Sequence, residues 1–153
     1  LHTDTAWTIA VESKKSKVKS KFLEIGEEAL WKAIGEAKVG NRIGHISKVI
    51  EEIIEGAGFG IVKTLVGHGV GHELHEAPQV PGYLKAPIDQ TLQLDAGMTI
   101  AIEVIYALGS GVIEYSNNDG WTLSSKDRSK KAVFEHTVAV SSSGPEVLTK
   151  WPG

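Results

Sequence analysis

Apolar residues recur along this chain in two rhythms, and the change between them divides it into helical and extended parts. Across residues 20–39, Phe22, Ile25, Ala29, Leu30, Ala33, Ile34 and Ala37 share one face at a 3.6-residue period. That spacing predicts an amphipathic helix capped by Ser20 and stopped by Gly40. Asn41 is expected to open a second helix, with Ile43, Ile46, Val49, Ile50, Ile53 and Ile54 on its buried side and Gly56 and Gly58 at its end. So short a junction predicts that the two helices run antiparallel, or cross at a moderate angle, against one surface.

Elsewhere the period is two. Residues 1–12 (LHTDTAWTIAVE) set Thr5, Trp7 and Ile9 against Ala6, Thr8 and Ala10, as a strand does. Further strands are predicted at residues 60–65, 98–108, 111–115 with 121–123, and 131–141, and Asn117-Asn118-Asp119-Gly120 supplies a hairpin turn. A Gly/His-rich loop at 67–78 and a polar connection from Gln79 to Gly97 join the first of these to the rest. The expected architecture is α+β, with helices on one face of a mainly antiparallel sheet. No repeat, low-complexity run or internal linker interrupts residues 1–153, which are expected to form one domain.

Composition narrows the chemistry. The 153 residues carry 16 Lys+Arg against 19 Asp+Glu, a formal charge of −3, so a dedicated nucleic-acid surface is not expected. The basic stretch at residues 13–19 (SKKSKVK) reads as a solvated turn before the helix. With no cysteine, disulfides, thiolate metal sites and thiol nucleophiles are excluded, and any metal must be held by His and carboxylates. The longest apolar runs are a few residues, too short to span a bilayer. The expectation is a soluble, cytoplasmic protein without membrane partners. The chain opens on Leu1 instead of Met, which predicts an N-terminus cut from something longer.

The candidate chemistry starts in Gly67-His68-Gly69-Val70-Gly71-His72-Glu73-Leu74-His75-Glu76. H-E-x-x-H and its reverse both fail here, and the glycines argue against a helix. A phosphate loop lacks its Lys and a following helix start. What remains is either a glycine turn with exposed imidazoles or a backbone that brings His68 and His75 toward a common point. Glu103 (TIAIEVI) and Glu135 (VFEHTV) each interrupt an otherwise apolar strand. A buried carboxylate must be paired, hydrogen-bonded or metal-bound, and one alone reads equally well as a structural ion pair. Two of them, with Asp4 and His68, make an oxygen-rich set suited to Mn, Fe, Co or Zn in a paired site. That set points to a metal-dependent hydrolase.

Four blocks carry a resemblance: VGHGVGHELHEAPQVPGY, LDAGMTIAIEVIY, NNDGWTLSSKDRS and AVFEHTVAVSSSGPEVLT. With the opening LHTDTAW, they resemble the type I methionine aminopeptidases of the creatinase-like "pita-bread" fold, in order and over nearly the whole chain. The resemblance implies removal of initiator methionine from nascent polypeptides by hydroxide generated between two divalent ions. It implies that Asp4 and Glu135 bridge the ions, that His68 and Glu103 complete the shell of one, and that Glu103 also moves a proton. His75 would face the substrate and stabilise the tetrahedral intermediate. Trp121 and Leu74 would border the methionine pocket, Leu74 standing where relatives often carry an aromatic ring. The family's fifth ligand, an Asp on the preceding strand, comes with a further histidine from an N-terminal half. That half is expected to be absent here, leaving a C-terminal catalytic portion. Two alternatives remain: a non-catalytic binding module of the same fold, engaging the ribosome, RNA or a protein through basic residues 14–19, or an X-Pro aminopeptidase.

Overall fold

A computed structural model describes residues 1–11 and 17–150. Glu12 at the end of the first expected strand and residues 13–16 of the basic stretch lie outside the described residues. Helix α1 (Lys17–Gly35) and helix α2 (Ile43–Gly56) confirm the two helical periods, with shifted ends. α1 begins before Ser20, which therefore lies inside the helix and is not its cap, and it stops at Gly35, five residues short of Gly40. Asn41 does not open α2. Its side-chain amide donates instead to the carbonyl and the carboxylate of Glu36, closing the bend between the helices. Arg42 takes the cap position, its N–H donating to His45 Nδ1 at 3.0 Å. Ile43, Ile46, Ile50 and Ile54 are buried, as are Phe22, Ala29, Leu30, Ala33, Ile34 and Ala37.

The strands are β1 (Ala6–Trp7), β2 (Gly60–Ile61), β3 (Gly67–Gly69), β4 (Glu76–Val80), β5 (Thr99–Ala107), β6 (Ile113–Tyr115), β7 (Leu123–Ser125), β8 (Lys131–Ser141) and β9 (Gly144–Val147). Among the described residues every strand pairing is antiparallel. The main sheet runs β1-β8-β5-β3-β4, with β2 added to β5 and β9 to β8, while β6 and β7 form a separate hairpin. The α+β expectation holds.

Three local expectations do not. The strand expected over residues 1–12 shrinks to two residues, because Thr5 and Thr8 turn their hydroxyls onto the carbonyls of Glu135 and Val133, substituting for ladder bonds. The strand expected over 60–65 ends at Ile61. The Gly/His stretch is not a free loop: Gly67–Gly69 is an interior strand between β4 and β5. Glycine is required there for close approach, since a Cβ at Gly67 would strike the Ala101 carbonyl and one at Gly69 the Ala77 carbonyl.

Strand alternation gives the sheet two unlike faces. On β5 and β8 the even-numbered residues Ile100, Ile102, Val104, Tyr106, Phe134 and Val138 join the core with the helices. Phe22 of α1 packs its ring 4.5 Å from that of Tyr106, whose hydroxyl donates to the Phe22 carbonyl. The odd-numbered residues face the other way, and the candidate chemistry lies among them.

Candidate metal centre

Register builds the centre. Glu103 on β5 and Glu135 on β8 are direct cross-strand partners, which sets their Cβ atoms about 4.5–5.5 Å apart on one face. Two like charges opposite each other are normally avoided in a sheet. His68 on β3 pairs with Ala101, two residues from Glu103 and so on the same face. Asp4 enters from just before β1: its N–H donates to Thr137 Oγ1 at 2.8 Å, and the Thr137 hydroxyl donates to the Asp4 carbonyl at 2.7 Å. Four segments distant in sequence thus deliver one side chain each to one place.

His68 Nε2 lies 3.5 Å from Glu103 Oε1 and 3.9 Å from Asp4 Oδ2. Its Nδ1–H donates to the Gly69 carbonyl at 2.8 Å, which fixes the ring with Nε2 turned toward the carboxylates. Potential ligand atoms of His68, Glu103 and Glu135 lie within 4.8 Å of one another, and those of Asp4, His68 and His75 form a second such group. The His75 ring stands edge-on to His68, 4.4 Å between centroids, at the exposed rim. The two imidazoles therefore do converge, while His72 is exposed.

Electrostatics mark the pair of glutamates as strained without a cation. Burial, and then the Asp4 charge, push the Glu103 carboxyl up to about 7. Burial, then the charges of Glu103 and Asp4, push Glu135 up to about 8. Glu135 is 5% exposed, and its Oε1 has no hydrogen-bond partner. An orphaned buried carboxylate oxygen is costly, and a divalent ion satisfies it directly. The donor set, three carboxylates and one or two imidazoles, suits hard to borderline cations. The residues present fit a metal.

The structure thus brings together Asp4, His68, Glu103 and Glu135, with His75 beside them. Leu74 adjoins His75 and is exposed. Trp121 does not join the cluster: it precedes β7 and is 87% exposed. Sequence reasoning missed two supporting groups, the Gly69 carbonyl that orients His68 and the Thr137 hydroxyl that holds Asp4. Thr137 carried a usable signal, since it lies two residues beyond Glu135 and must share its face.

Residues 1–142 match the family Peptidase_M24, metallopeptidase family M24. The chain is 44% identical over 149 residues to a methionine aminopeptidase of Borreliella burgdorferi, and 41% identical over 149 residues to methionine aminopeptidase 1 of Bacillus subtilis. Both alignments cover 97% of this chain and 58% of the relative. The crystal structure of a methionine aminopeptidase from Thermotoga maritima superimposes with a TM-score of 0.90 at 39% identity, covering 97% of this chain and 58% of that one. The chain therefore spans less than two thirds of the length of the relatives it matches.

Proposed function

The chain belongs to metallopeptidase family M24 and has the pita-bread fold, and from that premise we propose that it forms the metal-holding portion of an aminopeptidase releasing N-terminal methionine. The supporting observation is the convergence of Asp4, His68, Glu103 and Glu135 on one sheet face, with an orphaned carboxylate oxygen among them. Asp4, His68, Glu103 and Glu135 would hold two divalent ions, Co, Mn, Fe or Zn. Bound there, the ions supply Lewis acidity and lower the pKa of water.

The chain's own residues do the rest. Glu103 takes a proton at its carboxylate and passes it to the leaving amine. His75, held at the rim against His68, donates a hydrogen bond to the carbonyl oxygen as charge develops on it. Gly69 keeps His68 in the ligating tautomer through its carbonyl. Two residues along from the glutamates on the same face, the Ile105–Val133 pair borders an apolar pocket of about 200 Å³ with Val62, Leu65, Ile113 and Leu123. A methionine side chain suits such a surface; by the family resemblance, Leu74 and Trp121 would border the bound methionine. The substrates proposed with it are the N-termini of nascent chains, and the compartment proposed is the cytoplasm, near the ribosome.

The test is release of methionine from a Met-Ala-Ser peptide by the intact protein carrying this chain, with Mn²⁺ or Co²⁺ added. Release should require the ion and disappear in Glu103→Gln. Absence of metal-dependent release, or undiminished release by Glu103→Gln, would overturn the proposal. Release of the first residue from X-Pro peptides alone would favour the X-Pro reading.

A further inference from the structure

At Thr137 the outer edge of β8 changes partner. Residues 134 and 135 pair with β1, while residues 138–141 pair with β9. Between them, the backbone of Thr137 is already committed to the chain beyond β9. Its N–H donates to Thr149 Oγ1 at 3.0 Å, and its carbonyl accepts from Leu148 N–H at 2.9 Å. Asp4 stands at this junction with no ladder bond left for it. The Thr137 side chain takes both of its backbone groups, accepting from the Asp4 N–H and donating to the Asp4 carbonyl. A hydroxyl has one proton and two lone pairs, so Oγ1 is suited to do both at once.

The clamp is rigid because its own root is fixed. Thr137 is fully buried, and Thr149 Oγ1, which holds its N–H, also contacts His136 Nδ1 at 3.0 Å. The His136 ring is wedged between Trp7 and Trp31, at centroid distances of 5.5 and 5.3 Å. Asp4 is the one carboxylate of the centre that lies outside a regular strand, so no ladder sets its position. We propose that Thr137 is the positioning residue for the centre: its hydroxyl, anchored through Thr149, fixes the backbone of Asp4 and thereby aims that carboxylate at His68. This rests on the metal-centre reading above. It adds that ion affinity depends on a hydroxyl that touches neither ion nor substrate.

The same sheet supplies a control. Thr8 Oγ1 makes an equivalent double bond to β8, donating to the Val133 carbonyl and accepting from its N–H, each at 2.9 Å, four residues along from Asp4. A merely structural role would make the two threonines equivalent. The experiment titrates the intact, metal-free protein with Co²⁺ and follows affinity and visible absorption in wild type, Thr137→Val, Thr137→Ala, Thr137→Ser and Thr8→Val. Outer-shell losses of this kind cost roughly 10–100-fold in metal affinity. Thr137→Val should lose about that much and shift the Co²⁺ bands. Thr137→Ala reports the same loss should the isostere fail to fold. Thr137→Ser should restore affinity and spectrum, and Thr8→Val should leave both unchanged. Wild-type affinity and bands in Thr137→Val or Thr137→Ala would overturn the inference alone, as would an equal loss in Thr8→Val. Failure of the wild type itself to bind Co²⁺ would overturn the metal-centre reading and this inference with it.

Discussion

On β5 and β8 the even-numbered residues Ile102, Val104, Phe134 and Val138 lie under the two helices, while the odd-numbered Glu103, Glu135 and Thr137 turn toward Asp4 and His68. The same two strands, paired by the same hydrogen bonds, carry both faces. One face gains stability from burial of apolar area. The other confines carboxylates near one another with little water, which works against folding until a cation arrives. The lesson is that a metal centre can be built into a sheet without disturbing its ladder, because alternation lets the helical side offset the strain of the polar side.

The sharpest way to break that division is to attack the apolar face. Phe134→Ala removes a ring buried to 1% and packed edge-on to Trp7 at 4.9 Å. It should destabilise by about 3–5 kcal/mol in chemical denaturation. Glu135, its immediate neighbour, should behave in the opposite sense. Glu135→Gln replaces a buried carboxyl that lacks a partner at Oε1 and whose ionisation burial and the Glu103 and Asp4 charges oppose, so the metal-free protein should keep its stability near pH 7 and gain it above about pH 8, where wild-type Glu135 ionises. The same change should weaken divalent-ion affinity beyond the roughly 100-fold typical of outer-shell changes. Destabilisation of the metal-free protein by Glu135→Gln would break the comparison.

A smaller effect follows from pH. In the folded, metal-free protein burial and then neighbouring carboxylates push Glu103 up to about 7 and Glu135 up to about 8, against an ordinary 4.5. Between those limits the folded state binds more protons than the unfolded state, so stability falls as pH rises. Their contribution is intact below pH 4.5 and is lost by pH 8. Thermal melting of the metal-free protein from pH 5 to 8 should show this decline, flattened in Glu135→Gln. Saturating Mn²⁺ should reverse it by binding the deprotonated pair. Smallest of all is the exposed Glu28–Lys32 pair on α1, 2.6 Å apart: Lys32→Ala should cost only about 0.2–0.5 kcal/mol, with no effect on metal binding.

What the sequence disclosed follows the same division. The apolar face was legible because burial imposes a period, which located both helices, the first with ends displaced by three to four residues, and the strands at 98–108 and 131–141 within a residue. Glu103 and Glu135 stood out because each breaks an apolar strand. Strand β3 was hidden, since Gly-His-Gly has no extended signature and its glycines serve approach to neighbouring carbonyls. Strand β9 was hidden behind Gly144 and Pro145, and the first strand was overread because its threonines replace ladder bonds with side-chain ones. The convergence of Asp4 on Glu135 is a matter of register across 131 positions. Periodicity does not encode that; the chemistry of the residues suggested the set, and the family resemblance gave each member its role.

If the polar face of this sheet is a divalent-ion centre, its glutamates give up protons to the metal as it binds. Calorimetric titration of the intact, metal-free protein with Mn²⁺ at pH 6.5, in buffers of different ionisation enthalpy, tests it directly. Binding should saturate with heats that differ between buffers, because protons leave Glu103 and Glu135, and both signals should be lost in Glu135→Gln. Absence of saturable binding, or binding by Glu135→Gln equal to wild type, would contradict it.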